Sequence, residues 1–176
     1  MLKKINKKKG ILFWIEGFSG SGKTTLSKKI LNYVKSSFGP TILIQGNDMR
    51  KFLNLQGYTK AERIKLSNYS SNLVEFILDQ NINIIYTVVC LNNKSRNLYK
   101  SKVKNMVSIY IKSDIKKIIK FNKKKIIYKN KKNIIGVDIK AEYPKRPSIQ
   151  IENNFKKNLH VLSNELINKI KKLSIC

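Results

Sequence analysis

Residues 11–30 read ILFWIEGFSGSGKTTLSKKI, an apolar run, then three glycines with a lysine and two threonines, then a helical pattern. Gly17-Phe18-Ser19-Gly20-Ser21-Gly22-Lys23-Thr24 satisfies G-x-x-x-x-G-K-[ST] at every defined position. Such a match gains meaning only between a strand and a helix, and the flanking patterns provide both. The glycines let successive backbone N–H groups turn inward around phosphate oxygens, and the helix N-terminus adds its positive end. Lys23 is placed to reach the β- and γ-phosphates, and the Thr24 hydroxyl to ligate Mg²⁺. Residues 17–24, with Thr25 behind them, therefore read as the phosphate-binding loop of an ATP or GTP site. Glu16, directly before the loop, receives no role from this motif.

A loop of this kind requires a parallel sheet, and the rest of the chain supplies one. Apolar runs alternate with helical patterns, which predicts βαβ units with helices on both faces of the sheet. Strands are expected at about 11–16, 41–45, 82–90, 107–112 and 148–151. The first helix runs from the glycine loop to Phe38, where Gly39-Pro40 stops it. A second long helix opens at Thr59, with Thr59 and Glu62 spaced as a capping box. Its apolar positions Leu66, Tyr69, Leu73, Phe76 and Ile77 recur at helical period. Ser113 is expected to cap a short helix ending near Phe121. Leu159, Leu162, Leu166, Ile170 and Leu173 form the apolar side of a closing amphipathic helix. The fold expected is an α/β three-layer sandwich in a single domain over 11–176, preceded by a basic extension over 1–10. The stretch NKKKIIYKNKKNIIG, residues 122–136, reads either as a solvated loop or as a mobile lid bringing cations over an anionic substrate.

The 176 residues fit one domain, and 41% apolar residues suffice for its core. A net charge of +27 invites a nucleic-acid reading. Yet the basic residues run from end to end, and of the 37 Lys and Arg only Arg50, Arg63, Arg96 and Arg146 are arginine. With the abundance of Asn and Ile, this is the signature of A+T-rich codons, so no specific nucleic-acid partner is expected. Non-specific polyanion binding at low salt follows from the charge alone. Cys90 and Cys176 show no pairing or metal spacing, which fits a reducing cytoplasmic setting. No stretch approaches the length of a membrane span.

A phosphate loop needs a carboxylate at the end of a neighbouring strand, near the metal or the acceptor. The third expected strand ends without one. The second runs into Gln45-Gly46-Asn47-Asp48-Met49-Arg50, where Asp48 is the sole candidate. Its other reading is a helix N-cap before Met49-Arg50-Lys51-Phe52-Leu53, and the two roles are compatible.

Trp14 with the phosphate loop, then QGNDMRKFL, GYTKAER, KNIIGVD and YPKRPSIQIEN, resemble in order and spacing the adenylylsulfate kinase family. The resemblance spans roughly residues 11–153. It implies a P-loop kinase fold and transfer of the ATP γ-phosphate to the 3′-hydroxyl of adenylylsulfate. Position by position, the family's D-G-D-N-x-R appears as residues 45–50. Gly46 and Arg50 are kept, both aspartates become the amides Gln45 and Asn47, and Asp48 stands at the usual asparagine. Arg63 keeps the arginine of G-F-x-x-x-x-R, and Tyr58 replaces its base-stacking Phe. The Asn and Arg expected one turn further along are Leu66, Asn68 and Tyr69. The I-S-P turn becomes Cys90-Leu91-Asn92. In the lid, Lys132-Asn133-Ile134-Ile135-Gly136-Val137-Asp138 replaces K-N-F-T-G-I-D, so the second stacking Phe is Ile134, and the segment before it is shorter.

These departures fall on the acceptor side, whereas the ATP side is intact. The resemblance thus implies Lys23, Mg²⁺ held through Thr24, and the lid lysines Lys129, Lys131 and Lys132 as charge neutralisers. Asp48 would orient or deprotonate the acceptor hydroxyl, with Arg50, Tyr58, Arg63, Lys132 and Ile134 binding a small nucleotide acceptor. Three functions stay open: an adenylylsulfate kinase, a related kinase acting on another nucleotide-linked acceptor in polysaccharide decoration, or a nucleotide-binding module with little turnover. Family members often pair as dimers, although no stretch here marks an interface.

Overall fold

The computed structural model describes residues 9–121, 128 and 132–173. Five parallel strands form one sheet in the order β2-β3-β1-β4-β5. They are β1 (Leu12–Gly17), β2 (Thr41–Gln45), β3 (Asn83–Val88), β4 (Met106–Lys112) and β5 (Ile149–Glu152). The helices are α1 (Lys23–Phe38), α2 (Gly46–Phe52), α3 (Lys60–Asp79), α4 (Asn93–Lys102), α5 (Ile115–Phe121) and α6 (Leu159–Lys171). Among them none is long and apolar enough to cross a membrane.

The central strand explains the three layers. All six residues of β1 are buried, and successive side chains point to opposite faces. Phe13 and Ile15 join Leu26, Ile30, Val34, Leu162, Leu166 and Ile170 in the core beneath α1 and α6. Leu12 and Trp14 join Val74, Leu78, Tyr86 and Tyr99 beneath α3 and α4. The closing helix is the expected one, with Leu162, Leu166 and Ile170 fully buried.

The strands agree with the expected runs to within a residue or two, except that the third is shorter at its carboxyl end. Two local expectations are corrected. The α3 capping box forms as expected, Glu62 N–H donating to Thr59 Oγ1 at 3.3 Å and Thr59 N–H to Glu62 Oε2 at 2.9 Å. Its buried face, however, is Leu66, Ser67, Ser70, Ser71, Val74 and Leu78, while Tyr69 and Phe76 point outward. Small hydroxyl side chains win that face because they satisfy one another and α4 at close range: Ser67 Oγ donates to Ser95 Oγ at 2.8 Å, and Ser70 Oγ meets the Tyr99 hydroxyl at 2.7 Å. At α5 the cap is Asp114, whose Oδ1 accepts from Lys117 N–H at 3.0 Å, rather than Ser113. Helix α4 had no expectation at all, its sequence NKSRNLYKSK being too polar to show a periodic stripe.

Of the lid expected over 122–136, Tyr128 and residues 132–136 lie among the described residues; Lys129, Lys131 and Cys176 lie outside them, as do residues 1–8 of the basic extension.

Candidate active site

The carboxyl ends of β1, β2 and β3 open on a cavity of about 420 Å³, where a doubly wound sheet places its ligands. One wall is the glycine loop, with Ser19, Gly20, Gly22, Lys23, Thr24 and Thr25. Gly22 caps α1 at φ 96° and ψ 2°, a left-handed conformation that glycine adopts at little cost. At Gly17 a Cβ would lie 2.6 Å from the Ile111 carbonyl oxygen, so the loop leaves the sheet against a backbone with no room for a side chain. Phe18, though in the loop, turns away from the cavity and packs with Leu91, Tyr110, Ile118 and Ile135. Its carbonyl accepts from Lys23 Nζ at 2.6 Å. Ser21 is buried beneath the loop, its carbonyl oxygen held by Asn153 Nδ2 at 3.0 Å.

The second wall is the turn from β2 into α2. Gln45, not Asp48, is the N-cap of α2. Gln45 Oε1 accepts from Thr24 Oγ1 at 3.2 Å, so the side chain expected to hold a metal faces an amide oxygen. Both are hard oxygen donors of the kind Mg²⁺ prefers. No group of three or more His, Cys, Asp or Glu side chains is assembled among the described residues. Asn47 lines the cavity; Asp48 does not. Its Oδ2 accepts from Gln45 N–H at 3.3 Å, placing the carboxylate in the capping box on the exposed side of the turn.

The same cavity is lined by Arg50, Tyr58, Arg63, Lys132 and Ile134, brought together from α2, the connection into α3, α3 itself and the segment beyond residue 131. Arg50 is 7% exposed and directs Nη1 to the carbonyl oxygens of Gly57 and Leu55. Its guanidinium carbon lies 4.3 Å from the centre of the Tyr58 ring, and that of Arg63 lies 5.5 Å from it. Arg63 spends all three nitrogens on backbone: Nε on Tyr58 O at 2.8 Å, Nη1 on Val89 O at 3.0 Å and Nη2 on Asn133 O at 3.0 Å. One side chain thus joins the entry to α3, the end of β3 and the lid segment. Burial lowers the proton affinity of both guanidiniums, and Arg50 lowers that of Arg63 further. Among the described residues neither is ion-paired with a carboxylate.

The floor is apolar and weakly polar: Trp14, Leu66, Ser67, Tyr86, Cys90 and Tyr99. Burial pushes the Cys90 thiol up to about 11 and the Tyr86 phenol to about 12. Beyond Asn133, Ile134 N–H donates to Asp138 Oδ2 at 2.9 Å, which fixes a tight turn with Ile134 and Ile135 buried. Tyr128 reaches the glycine loop itself, its hydroxyl donating to Ser19 O at 2.6 Å.

Glu16, left without a role by the motif, sits beneath the loop at 1% exposure and pairs with Arg96 of α4. Arg96 continues to Asn93 Oδ1 and to the carbonyl oxygen of Glu142. The signal in the sequence was a single acid inside an otherwise apolar strand; its partner lies eighty residues away, which no local pattern shows.

The family model described as adenylylsulphate kinase matches residues 9–152. Cytidine diphosphoramidate kinase of Campylobacter jejuni subsp. jejuni serotype O:2 is 27% identical over 93 residues, covering 53% of this chain and 55% of that protein. Adenylyl-sulfate kinase of Clostridium kluyveri is 31% identical over 90 residues, covering 51% of this chain and 45% of that protein. Both alignments therefore span about half the length of these relatives. In three dimensions the Mycobacterium tuberculosis APS kinase CysC, solved with AMPPNP and APS, superposes with a TM-score of 0.81 at 17% identity, covering 93% of this chain and 99% of that one. That likeness establishes the P-loop sandwich. With the family model matching most of its length, and with the fold agreeing, the chain belongs to the adenylylsulphate kinase family.

Proposed function

We propose that the protein is an ATP-dependent kinase that moves the γ-phosphoryl group onto the 3′-hydroxyl of adenylylsulfate, in sulfate activation in the cytoplasm. One observation carries the reading: two guanidiniums without carboxylate partners share a single cavity with a complete phosphate loop. A buried or half-buried cation that lacks a counter-charge is costly, and an anionic ligand relieves the cost.

In this reading the loop amides and Lys23 hold the triphosphate, with Gly17 through Thr25 as its frame. Thr24, with Gln45 beside it, would hold Mg²⁺, which when bound supplies positive charge against the phosphate oxygens. Arg50 and Arg63 set positive charge against the acceptor's anionic linkage, while their N–H groups hold the backbone carbonyls that shape this wall. Tyr58 stacks on the acceptor base, backed by the Arg50 guanidinium. Ile134 covers the other side, and Lys132 adds charge at the entrance. Asp48 acts through the turn: by holding Gln45 N–H it fixes where Gln45 and Asn47 stand. The domain would run over residues 11–176, with the lid at 122–136 and a homodimer as the assembly.

A second acceptor has its own support. The Campylobacter relative is named for cytidine diphosphoramidate, and here the acceptor wall carries Tyr58 and the aliphatic Ile134 in place of two phenylalanines. Stacking on one aromatic face is sufficient for a pyrimidine.

The deciding experiment incubates the protein with Mg·ATP and either adenylylsulfate or cytidine diphosphoramidate, following ADP and identifying the product by mass. Turnover with adenylylsulfate supports the first reading, and turnover with the cytidine compound alone the second. Mg·ATP binding by calorimetry with no acceptor-dependent ADP would reject both and leave a binding module.

A further inference from the structure

The cavity wall holds cations but no acid. Lys23 from α1, Arg50 from α2, Arg63 from α3 and Lys132 face it, yet none of its lining residues is Asp, Glu or His. The absence is complete for side chains, because all ten acids and the one histidine of the sequence fall among the described residues. Each acid is placed elsewhere. Glu16 holds Arg96 beneath the loop, and Asp48 and Glu62 close the capping boxes of α2 and α3. Asp114 caps α5, Asp138 accepts from Ile134 N–H, and Glu142 accepts from Asn93 N–H at 2.6 Å. Glu75, Asp79 and Glu165 pair with surface lysines. Glu152 on β5 and His160 on α6 are exposed.

The remaining titratable groups facing the cavity are Tyr58, Tyr86, Cys90 and Tyr99. Burial holds the last three in their protonated forms well above neutral pH. An ammonium acts as a base only after losing its proton, which phosphates beside it oppose.

We infer that this site transfers a phosphoryl group without a protein general base, with Lys23 facing the donor phosphates and Arg50, Arg63 and Lys132 facing the anionic acceptor. The inference rests on the kinase reading above and concerns only where the proton goes. In the step, the acceptor oxygen forms its bond to Pγ as the bond from Pγ to the β-bridging oxygen breaks and ADP leaves with that electron pair. The acceptor's hydroxyl hydrogen passes to a non-bridging oxygen of the moving phosphoryl group and then to solvent. No other co-reactant is needed. A loose transition state tolerates this, since little negative charge has to develop on the attacking oxygen before transfer. Positioning and electrostatics supply the acceleration.

The test is the pH dependence of kcat for the full chain with saturating Mg·ATP and, in parallel, adenylylsulfate or cytidine diphosphoramidate. From about pH 4 to about pH 9 the wild-type profile should show no limb belonging to a side chain, any inflection following the acceptor or the nucleotide. Asp48→Asn should lower kcat by less than about tenfold and leave the profile's shape, because a positioned base would be worth about 10²–10⁴. Asn47→Asp, which puts a carboxylate on the wall, should add an acid limb of unit slope. A wild-type acid limb that Asp48→Asn, or any other single carboxylate-to-amide substitution, removes would overturn the inference while leaving the kinase reading intact. If neither acceptor turns over although Mg·ATP binds, the kinase reading fails, and the inference with it.

Discussion

Arg96 Nε lies 2.9 Å from Oε1 and 3.1 Å from Oε2 of Glu16, with the two side chains 4% and 1% exposed. The hydrogen bond goes to Oε2, and Oε1 completes the ion pair. The pair ties the strand that ends in the phosphate loop to α4. Through the Glu142 carbonyl it also reaches the segment that follows the lid. Removing one member strands the other, so Arg96→Ala should destabilise the fold by about 3–5 kcal/mol in urea unfolding. Replacing both with apolar residues should cost less than that single change, and an additive double-mutant cycle would contradict the coupling. The pH sense is also fixed. Burial holds the Glu16 carboxyl above its ordinary value near 4.5, with Arg96 pulling it down. An acid raised on folding contributes stability that is complete below its unfolded value and is lost as pH rises through the folded one. Losing Arg96 removes the downward pull, so the penalty of Arg96→Ala should grow from acid toward neutral pH.

The serine face of α3 gives a second expectation. Ser70 Oγ donates to Leu66 O at 2.6 Å and meets Tyr99 OH at 2.7 Å inside the core. Ser70→Ala leaves a buried phenol without that partner and should cost about 1–3 kcal/mol. Adding Tyr99→Phe to it should cost little more, and thermal melts of the two variants would show whether the penalty belongs to the orphaned hydroxyl.

Cys90 predicts chemical inertness. Its thiol is held up at about 11, against an ordinary value of 9.0, chiefly by burial. In a Cys176→Ser background, iodoacetamide at pH 8 should leave Cys90 unmodified in native protein and label it in urea. Rapid native labelling would refute its placement. By the same linkage Cys90 stabilises the fold fully below about pH 9, and that contribution disappears as pH rises through about 11. Cys90→Ala should therefore flatten the alkaline loss of Tm.

Lys23→Ala should abolish turnover and weaken Mg·ATP binding in calorimetry. A variant with wild-type turnover would remove the loop from the site, whatever the acceptor.

The parts legible in the sequence share one property: their information is local. The glycine loop, the Thr59–Glu62 box and the stripe of α6 lie within a few turns of chain, and they appear in the structure as read. The Tyr69 and Phe76 expectation failed because periodicity weighs hydrophobicity, whereas the α3–α4 contact is made by serines that satisfy each other's hydroxyls. Asp48 shows a further limit. Residue type marked it as the acid beside the site, but the helix starts three residues earlier, which gives the cap to Gln45 and turns the carboxylate back onto the Gln45 N–H. Glu16 was visible as an anomaly and mute as to cause, since only the sheet brings Arg96 beneath it.

Arg63 carries a consequence for substitution chemistry. Its three nitrogens reach three carbonyls on three separate stretches of chain, in one plane. Arg50 and Arg96 likewise each serve more than one oxygen. A tetrahedral ammonium on a flexible stem has the same charge and cannot reproduce that spread of directions. In a polypeptide otherwise given over to lysine, these are the places where valence geometry outranks valence, and swapping one cation for the other there would loosen the molecule without altering its net charge.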